Sequence, residues 1–329
     1  LCTQCSDQMK TPRLAFGEPL PEKYNSPDGM TLGEDGCIYL SMNNVNKPEY
    51  SAKILRITPD DRMEEVIDLP PHPGTGFASP LGIVFGSDGN LYISDNQAFM
   101  TDDPHMSRIL KVTMQYGQAI KCETVATGFN MANGITTWGD KIYVAETNLV
   151  AGTPHKSGVY CFDLEELNAE QPVEVTGPGD PHLVTVLETQ NPEHPVGANG
   201  VAFNSKGELF ICNFADAEVI RCILDENGGL VSSDLFAAGE GMLSTDGLQI
   251  DNEDNLWIAD FLGNAIVKIT PSGKVVILTK NDQTDGANGE LDAPSECIRR
   301  GDRVYVSNID LTYGPNTTDD VHTMSVIEL

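Results

Sequence analysis

The sequence is short of positive charge. It has 20 Lys and Arg against 49 Asp and Glu, a formal net charge of −29. A field of that sign repels phosphate backbones and anionic lipid surfaces, which argues against a nucleic-acid partner and draws cations toward the protein. Long hydrophobic runs are absent as well, so a soluble chain with no membrane span is expected. Helical periodicity is weak throughout; 163–168 offers at most one turn. The motifs of several chemistries are missing. There is no G-x-S-x-G, no H-E-x-x-H, no P-loop and no dinucleotide glycine motif. Cysteine is modest, eight in 329 residues, and scattered. Cys2 and Cys5 form a lone C-x-x-C in a polar leader, 1–10, with no second pair at zinc spacing. That fits a plain tail better than a metal site. The chain begins at Leu1 rather than Met, so a preceding segment is expected to be missing. Asn316-Thr317-Thr318 is a glycosylation sequon, and secretion or the periplasm is favoured over the cytoplasm.

What the sequence has is repetition. Asp35-Gly36-Cys37-Ile38-Tyr39 resembles Asp88-Gly89-Asn90-Leu91-Tyr92. Gly139-Asp140-Lys141-Ile142-Tyr143, Lys206-Gly207-Glu208-Leu209-Phe210, Glu253-Asp254-Asn255-Leu256-Trp257 and Gly301-Asp302-Arg303-Val304-Tyr305 continue the series. The aromatic marker recurs about every fifty residues, with one stretched step between Tyr143 and Phe210. A hairpin turn precedes each marker and a short strand precedes the turn, such as Gly82–Phe85 or Gly200–Phe203. A third strand follows, as in Lys53–Ile57 and Ala265–Ile269, and often a fourth, as in Lys274–Leu278. Four strands at this period form one propeller blade. The expected fold is all-β, a single six-bladed β-propeller over 11–329. The last blade ends with Thr323–Ile327 and lacks an outer strand. Arg13–Phe16 is the free segment that can complete it and remove the open edges.

In a propeller the first strand of each blade lines the central channel. The residues at the mouths of these strands are taken as Asp28, Leu81, Asn133, Asn199, Asp246 and Glu296. Five of the six carry side-chain oxygen. Asn199 is followed by Gly200, a pair whose tolerance of positive φ suits a turn. Three carboxylates in one channel raise each other's pKa, and a bound cation resolves the conflict. Oxygen donors without His or Cys suit a hard ion, Ca²⁺ first and Mg²⁺ or Mn²⁺ next. Loops expected to be long, 43–51, 97–106, 148–157 and 309–321, surround this face and suggest a ligand pocket. His105, His155 and His322 fall in or beside them and are expected to be surface histidines.

With these features the chain resembles the SMP-30/gluconolactonase/luciferin-regenerating-enzyme family over nearly its whole length after the leader. The most specific pieces are Ala198-Asn199-Gly200-Val201 and Thr245-Asp246-Gly247-Leu248. The resemblance implies a channel ion, usually Ca²⁺, with Asn199 and Asp246 as ligands and Asp246 as general base. Asn133 in Asn133-Gly134-Ile135 looks like the family's residue that touches substrate or metal. The family usually has Glu at the blade-one mouth. This chain has Asp28, one methylene shorter, and Glu296 as an extra carboxylate able to compensate. The expected function is a divalent-metal-dependent hydrolase that opens a lactone. Its expected metal ligands are Asp28, Asn133, Asn199, Asp246 and Glu296, with Ca²⁺ ahead of Mg²⁺, Mn²⁺ or Zn²⁺. Asn43, Asp95, Asn133 and Glu146 are expected to position a small-molecule substrate. A phosphotriester or other ester hydrolase at the same site is the alternative, followed by a non-enzymatic binding propeller with a structural ion.

Overall fold

The aromatic marker recurs because it locks a hairpin. Its ring is buried, and in blades one, two and five its polar tip reaches back to the turn, the usual compromise for Tyr and Trp. Tyr39 Oη donates to Asp35 at 3.0 Å, Tyr92 Oη to Asp88 at 2.9 Å and Trp257 Nε1 to Asp251 at 2.9 Å. The turns themselves need left-handed backbone, at Gly89 with φ 75° and at Asp254 with φ 60°. In the computed structural model, which describes residues 9–329, each such hairpin is the inner pair of a four-stranded antiparallel unit. Cys2 and Cys5 lie outside the described residues.

Blade one runs Pro27–Leu32, Ile38–Met42, Lys53–Ile57 and Met63–Asp68. The inner strands of the next five are Pro80–Phe85, Ala132–Trp138, Ala198–Phe203, Leu248–Ile250 and Pro294–Arg300. They neighbour one another in chain order, and the last lies against the first. The result is a six-bladed β-propeller. The expected closure holds: Arg13 pairs with Val326 and Leu14 with Ser325, so the N-terminal strand completes blade six. The stretched step is an insertion in blade three. Its Val173–Glu174 adds a parallel strand to the outer edge of blade two, covering backbone that would otherwise stand open.

Apolar side chains alternate along the strands and fill the spaces between blades. Each of the six interfaces holds one buried cluster. Tyr39 and Ile54 of blade one meet Ile83 and Leu110 of blade two, and Leu40 and Met42 of blade one meet Tyr305 and Val326 of blade six. Each such side chain contributes about 1.5–3 kcal/mol on burial, so closure is driven around the whole ring. The six cysteines among the described residues are free thiols, and burial pushes Cys212 and Cys297 well above the ordinary thiol pKa. No helix among the described residues is long and apolar enough to cross a membrane. Asn316 of the sequon is 4% exposed and donates its amide to Asp310 Oδ1 and the Leu311 carbonyl. The folded chain therefore does not present it.

Candidate functional site

The inner strands share a local irregularity that creates the site. Pro27 pairs with Met42, and pairing resumes at Met30 with Leu40; the same break occurs at Pro80/Ile83, Ala132/Ile135, Ala198/Val201 and Pro294/Glu296. Residues freed by these breaks, with Asp246 at the start of blade five, line one cavity at the mouth of the channel. They are Asp28, Leu81, Asn133, Asn199, Asp246 and Ser295. In the first five blades the next residue is glycine, because the neighbouring strand passes too close for a side chain. A Cβ on Gly82 would lie 2.6 Å from the Asn133 carbonyl oxygen, and one on Gly247 2.5 Å from that of Ser295. Neither Asn199 nor Gly200 has positive φ. The pair is a bulge that lets blades meet, where a turn was expected.

Blade six corrects the sequence reading by one residue. Ser295, not Glu296, stands at the mouth, and Glu296 occupies the position that is glycine elsewhere. Without that glycine nothing in the sequence marked the register. Glu296 instead sits beside the Gly247 backbone, its Oε1 accepting the Cys297 N–H at 3.0 Å and its Oε2 facing Gln249 Nε2 at 3.4 Å. It remains electrostatically part of the group. Burial, then repulsion from Asp28, raises its pKa to about 8. Burial raises Asp28 to about 6 against hydrogen bonds from Ser295 and the Gly29 N–H. Asp246 is driven well above the usual carboxylate range by burial, Asp28 and Glu296, with the Asn199 amide opposing. No Lys, Arg or His lines the cavity to balance these groups. Carboxylate and amide oxygens with no nitrogen or sulfur ligand fit a hard divalent cation, so the donor set suits the ion expected from the sequence.

Above this floor the cavity, about 290 Å³, is apolar. Leu81, Phe99 and Met131 form one side of it, and Phe214, Phe261 and Tyr313 another. The last three rings lie 6.2–6.3 Å apart by centroid. Val45, Phe99 and Ile309 come from three of the loops expected to surround the site. The fourth, 148–157, is largely strand, since Lys141–Val150 and His155–Asp163 leave only four residues between them. Val196 lines the cavity instead, from the connection between blades three and four. The apolar wall was missed by the sequence reading. Its signal was Phe99, Leu311 and Tyr313, isolated apolar residues inside otherwise polar loops.

Three expected substrate-positioning residues are placed elsewhere. Asp95 ends its second strand, Asn43 directly follows one, Glu146 lies within Lys141–Val150 opposite Ala132, and none lines the cavity. Asp95 is fully buried, ion-paired to Arg108 Nε at 2.6 Å, and accepts the Ser79 N–H at 2.6 Å. Glu146 accepts the N–H groups of Met131 and Asn130 at 2.7 and 2.8 Å. Asn43 donates to Ser79 Oγ and the Pro80 carbonyl. Asp260 and Asn308 accept the N–H of Ser244 and Asp292 in the same way. In blades two, three, five and six the recurring polar residue is a brace between the second strand and the chain entering the first, while Asn43 ties blade one to blade two. Asn133 does reach the cavity. His105 is exposed, as expected, but His155 is buried with Nε2 2.8 Å from the Thr147 carbonyl oxygen, and His322 is buried without a hydrogen-bond partner.

Known proteins share this fold at low identity. A gluconolactonase from Xanthomonas campestris matches at TM-score 0.59 and 14% identity, over 98% of this chain and 96% of that one. A calcium-binding protein, regucalcin, from Agrobacterium tumefaciens matches at 0.57 and 13%, over 97% and 93%. Virginiamycin B lyase from Staphylococcus aureus matches at 0.52 and 16%, over 95% and 97%, so the fold by itself does not choose the reaction. No curated protein matches the chain. A family model does match, over the two blades that carry the most specific motifs, Asn199-Gly200 and Asp246-Gly247: residues 185–280 match the SMP-30/Gluconolactonase/LRE-like region.

Proposed function

We propose that the chain is a hydrolase of lactones or other esters with an apolar body, dependent on a hard divalent cation, Ca²⁺ first. The observation that carries the reading is a floor of buried carboxylates and amides, without a basic residue, beneath an apolar wall. Asp28, Asn133, Asn199 and Asp246 would hold the ion, with Glu296 adding charge behind them. When bound, such an ion polarises a carbonyl oxygen and keeps its carboxylates ionised at neutral pH. Asp246 is then placed to accept a proton from the attacking water, which is general-base catalysis by a carboxylate held against the Asn199 amide. Asn133 offers an N–H to the substrate carbonyl. Phe214, Phe261 and Tyr313 bind the substrate body and exclude bulk water, which strengthens each of these interactions. Sugar hydroxyls find few partners here, because Asn43, Asp95 and Glu146 are used as braces. The wall therefore favours aliphatic or aromatic lactones over sugar lactones.

The test is proton release from lactones of both kinds, in EDTA and with Ca²⁺ restored, for the wild type and Asp246→Asn. Turnover lost in EDTA, regained with Ca²⁺ and lowered at least a thousandfold in the variant is the expected result. Wild-type rates from Asp246→Asn would exclude the residue as base. A melting temperature that responds to Ca²⁺ while no ester is hydrolysed would move the protein to the binding-propeller reading.

A further inference from the structure

Blade six carries a second set of acidic residues away from the channel. Asp292 lies in the chain entering its inner strand, Asp310 follows its second strand, and Asp319 lies further along the same loop. Each offers one oxygen to a group within 4.8 Å. Asp292 is the informative member. It is 1% exposed, and neither carboxylate oxygen has a hydrogen-bond partner. A buried carboxylate left without any donor costs several kcal/mol, so native folds supply a partner. No Lys, Arg or His among the described residues pairs with any of the three. Lys47, close to this loop, is taken by Glu22 at 2.5 Å and Asp320 at 3.1 Å.

The other two residues are held in place by bonds that leave lone pairs free. Asp310 accepts from Asn316 Nδ2 through Oδ1 and from the Asp319 N–H through Oδ2, both at 3.0 Å. Asp319 Oδ1 accepts the Val321 N–H at 2.6 Å. The loop thus folds around the unpartnered Asp292 carboxylate.

We infer that Asp292, Asp310 and Asp319 form a second divalent-cation site, separate from the channel floor and suited to Ca²⁺. The donors are all oxygen, which is the chemistry of a hard cation. The spacing accommodates Ca²⁺, since oxygens on opposite sides of one Ca²⁺, at about 2.3–2.6 Å each, lie up to ~5 Å apart. Three carboxylates also exceed the charge of one divalent ion, which favours retention in a chain of net charge −29. The same loop supplies Ile309, Leu311 and Tyr313 to the cavity wall, so the ion pins a wall of the channel site without touching its floor.

The test is Ca²⁺ titration by calorimetry of chelator-stripped protein, wild type, Asp292→Asn and Asp246→Asn, with melting temperatures in parallel. Asp292→Asn is expected to lose one equivalent of bound Ca²⁺ and the stabilisation that goes with it, while keeping the channel equivalent. Asp246→Asn is expected to keep the blade-six equivalent, so failure at one site is distinguishable from failure at the other. Unchanged stoichiometry and affinity in Asp292→Asn would overturn the site. Should that variant not fold, Mn²⁺ soaked into wild-type crystals decides. An anomalous peak among the three carboxylates supports the site, and its absence there overturns it.

Discussion

Glu296 stands where every other blade has glycine, and neutralising it exposes what the channel costs without an ion. Its pKa is raised from 4.5 to about 8 by burial and by Asp28. In the unfolded chain it ionises near 4.5; in the metal-free fold it holds its proton to about 8. Between those values the folded state binds more protons than the unfolded one, so stability falls as pH rises. The contribution is fully present below the unfolded pKa and lost through the folded pKa. At about 1.4 kcal/mol per pH unit, the interval sets a ceiling of about 5 kcal/mol, reduced in practice by water entry and relaxation. Glu296→Gln removes that slope while keeping the shape. Urea denaturation in EDTA, at steps from pH 5 to 9, measures it. The variant is expected to gain on the wild type steadily up to about pH 8 and then hold a constant advantage. Added Ca²⁺ is expected to shrink the difference. A wild-type-to-variant gap that does not change between pH 5 and 8 in EDTA would refute the reasoning, because Glu296 would then ionise normally inside the fold.

Two further substitutions test the roles assigned outside the channel. Asp95→Ala leaves Arg108 buried without its carboxylate, a loss of about 3–5 kcal/mol read from the urea midpoint. The folded fraction is expected to keep the wild-type KM, and a raised KM with little loss of stability would return Asp95 to the substrate. Gly82→Ala places a Cβ 2.6 Å from the Asn133 carbonyl oxygen, so the blade-two and blade-three strands must part. Overpacking of that kind costs about 1–3 kcal/mol, and a variant as stable as the wild type would show that the bulge glycines are not required by contact.

The fold was legible because each blade repeats a local device. A tight turn, a buried aromatic ring that in blades one, two and five is anchored to the turn carboxylate, and an inner strand of small and branched residues recur within a few positions of one another. Closure was legible by counting, since blade six lacked one strand and Arg13–Phe16 was spare. The crossing of Val173–Glu174 to blade two was not, because a two-residue parallel pairing to a distant edge leaves no periodic mark.

The site was legible only where the repeat had a chemical reason to hold. Asp28, Asn133, Asn199 and Asp246 are followed by glycine because the next blade's backbone passes there, so packing marked their register. In blade six that mark is missing, and the alignment slid from Ser295 to Glu296. The period also selected Asp95 and Glu146 correctly as recurring polar residues, yet periodicity cannot say which way a side chain's hydrogen bonds go. Beside the end of a second strand the N–H groups of the chain entering that blade's own inner strand are close at hand. A carboxylate there is captured by its own blade before any substrate arrives. Part of the apolar wall escapes the repeat instead, while Phe214 and Phe261 directly follow the second strands of blades four and five. Phe99 comes from the short helical turn Gln97–Phe99, Val196 from the connection between blades three and four, and Leu311 and Tyr313 from the one long loop of blade six. The repeating part of this sequence therefore specifies the ring and its floor, while the ligand is chosen in part by what interrupts the repeat.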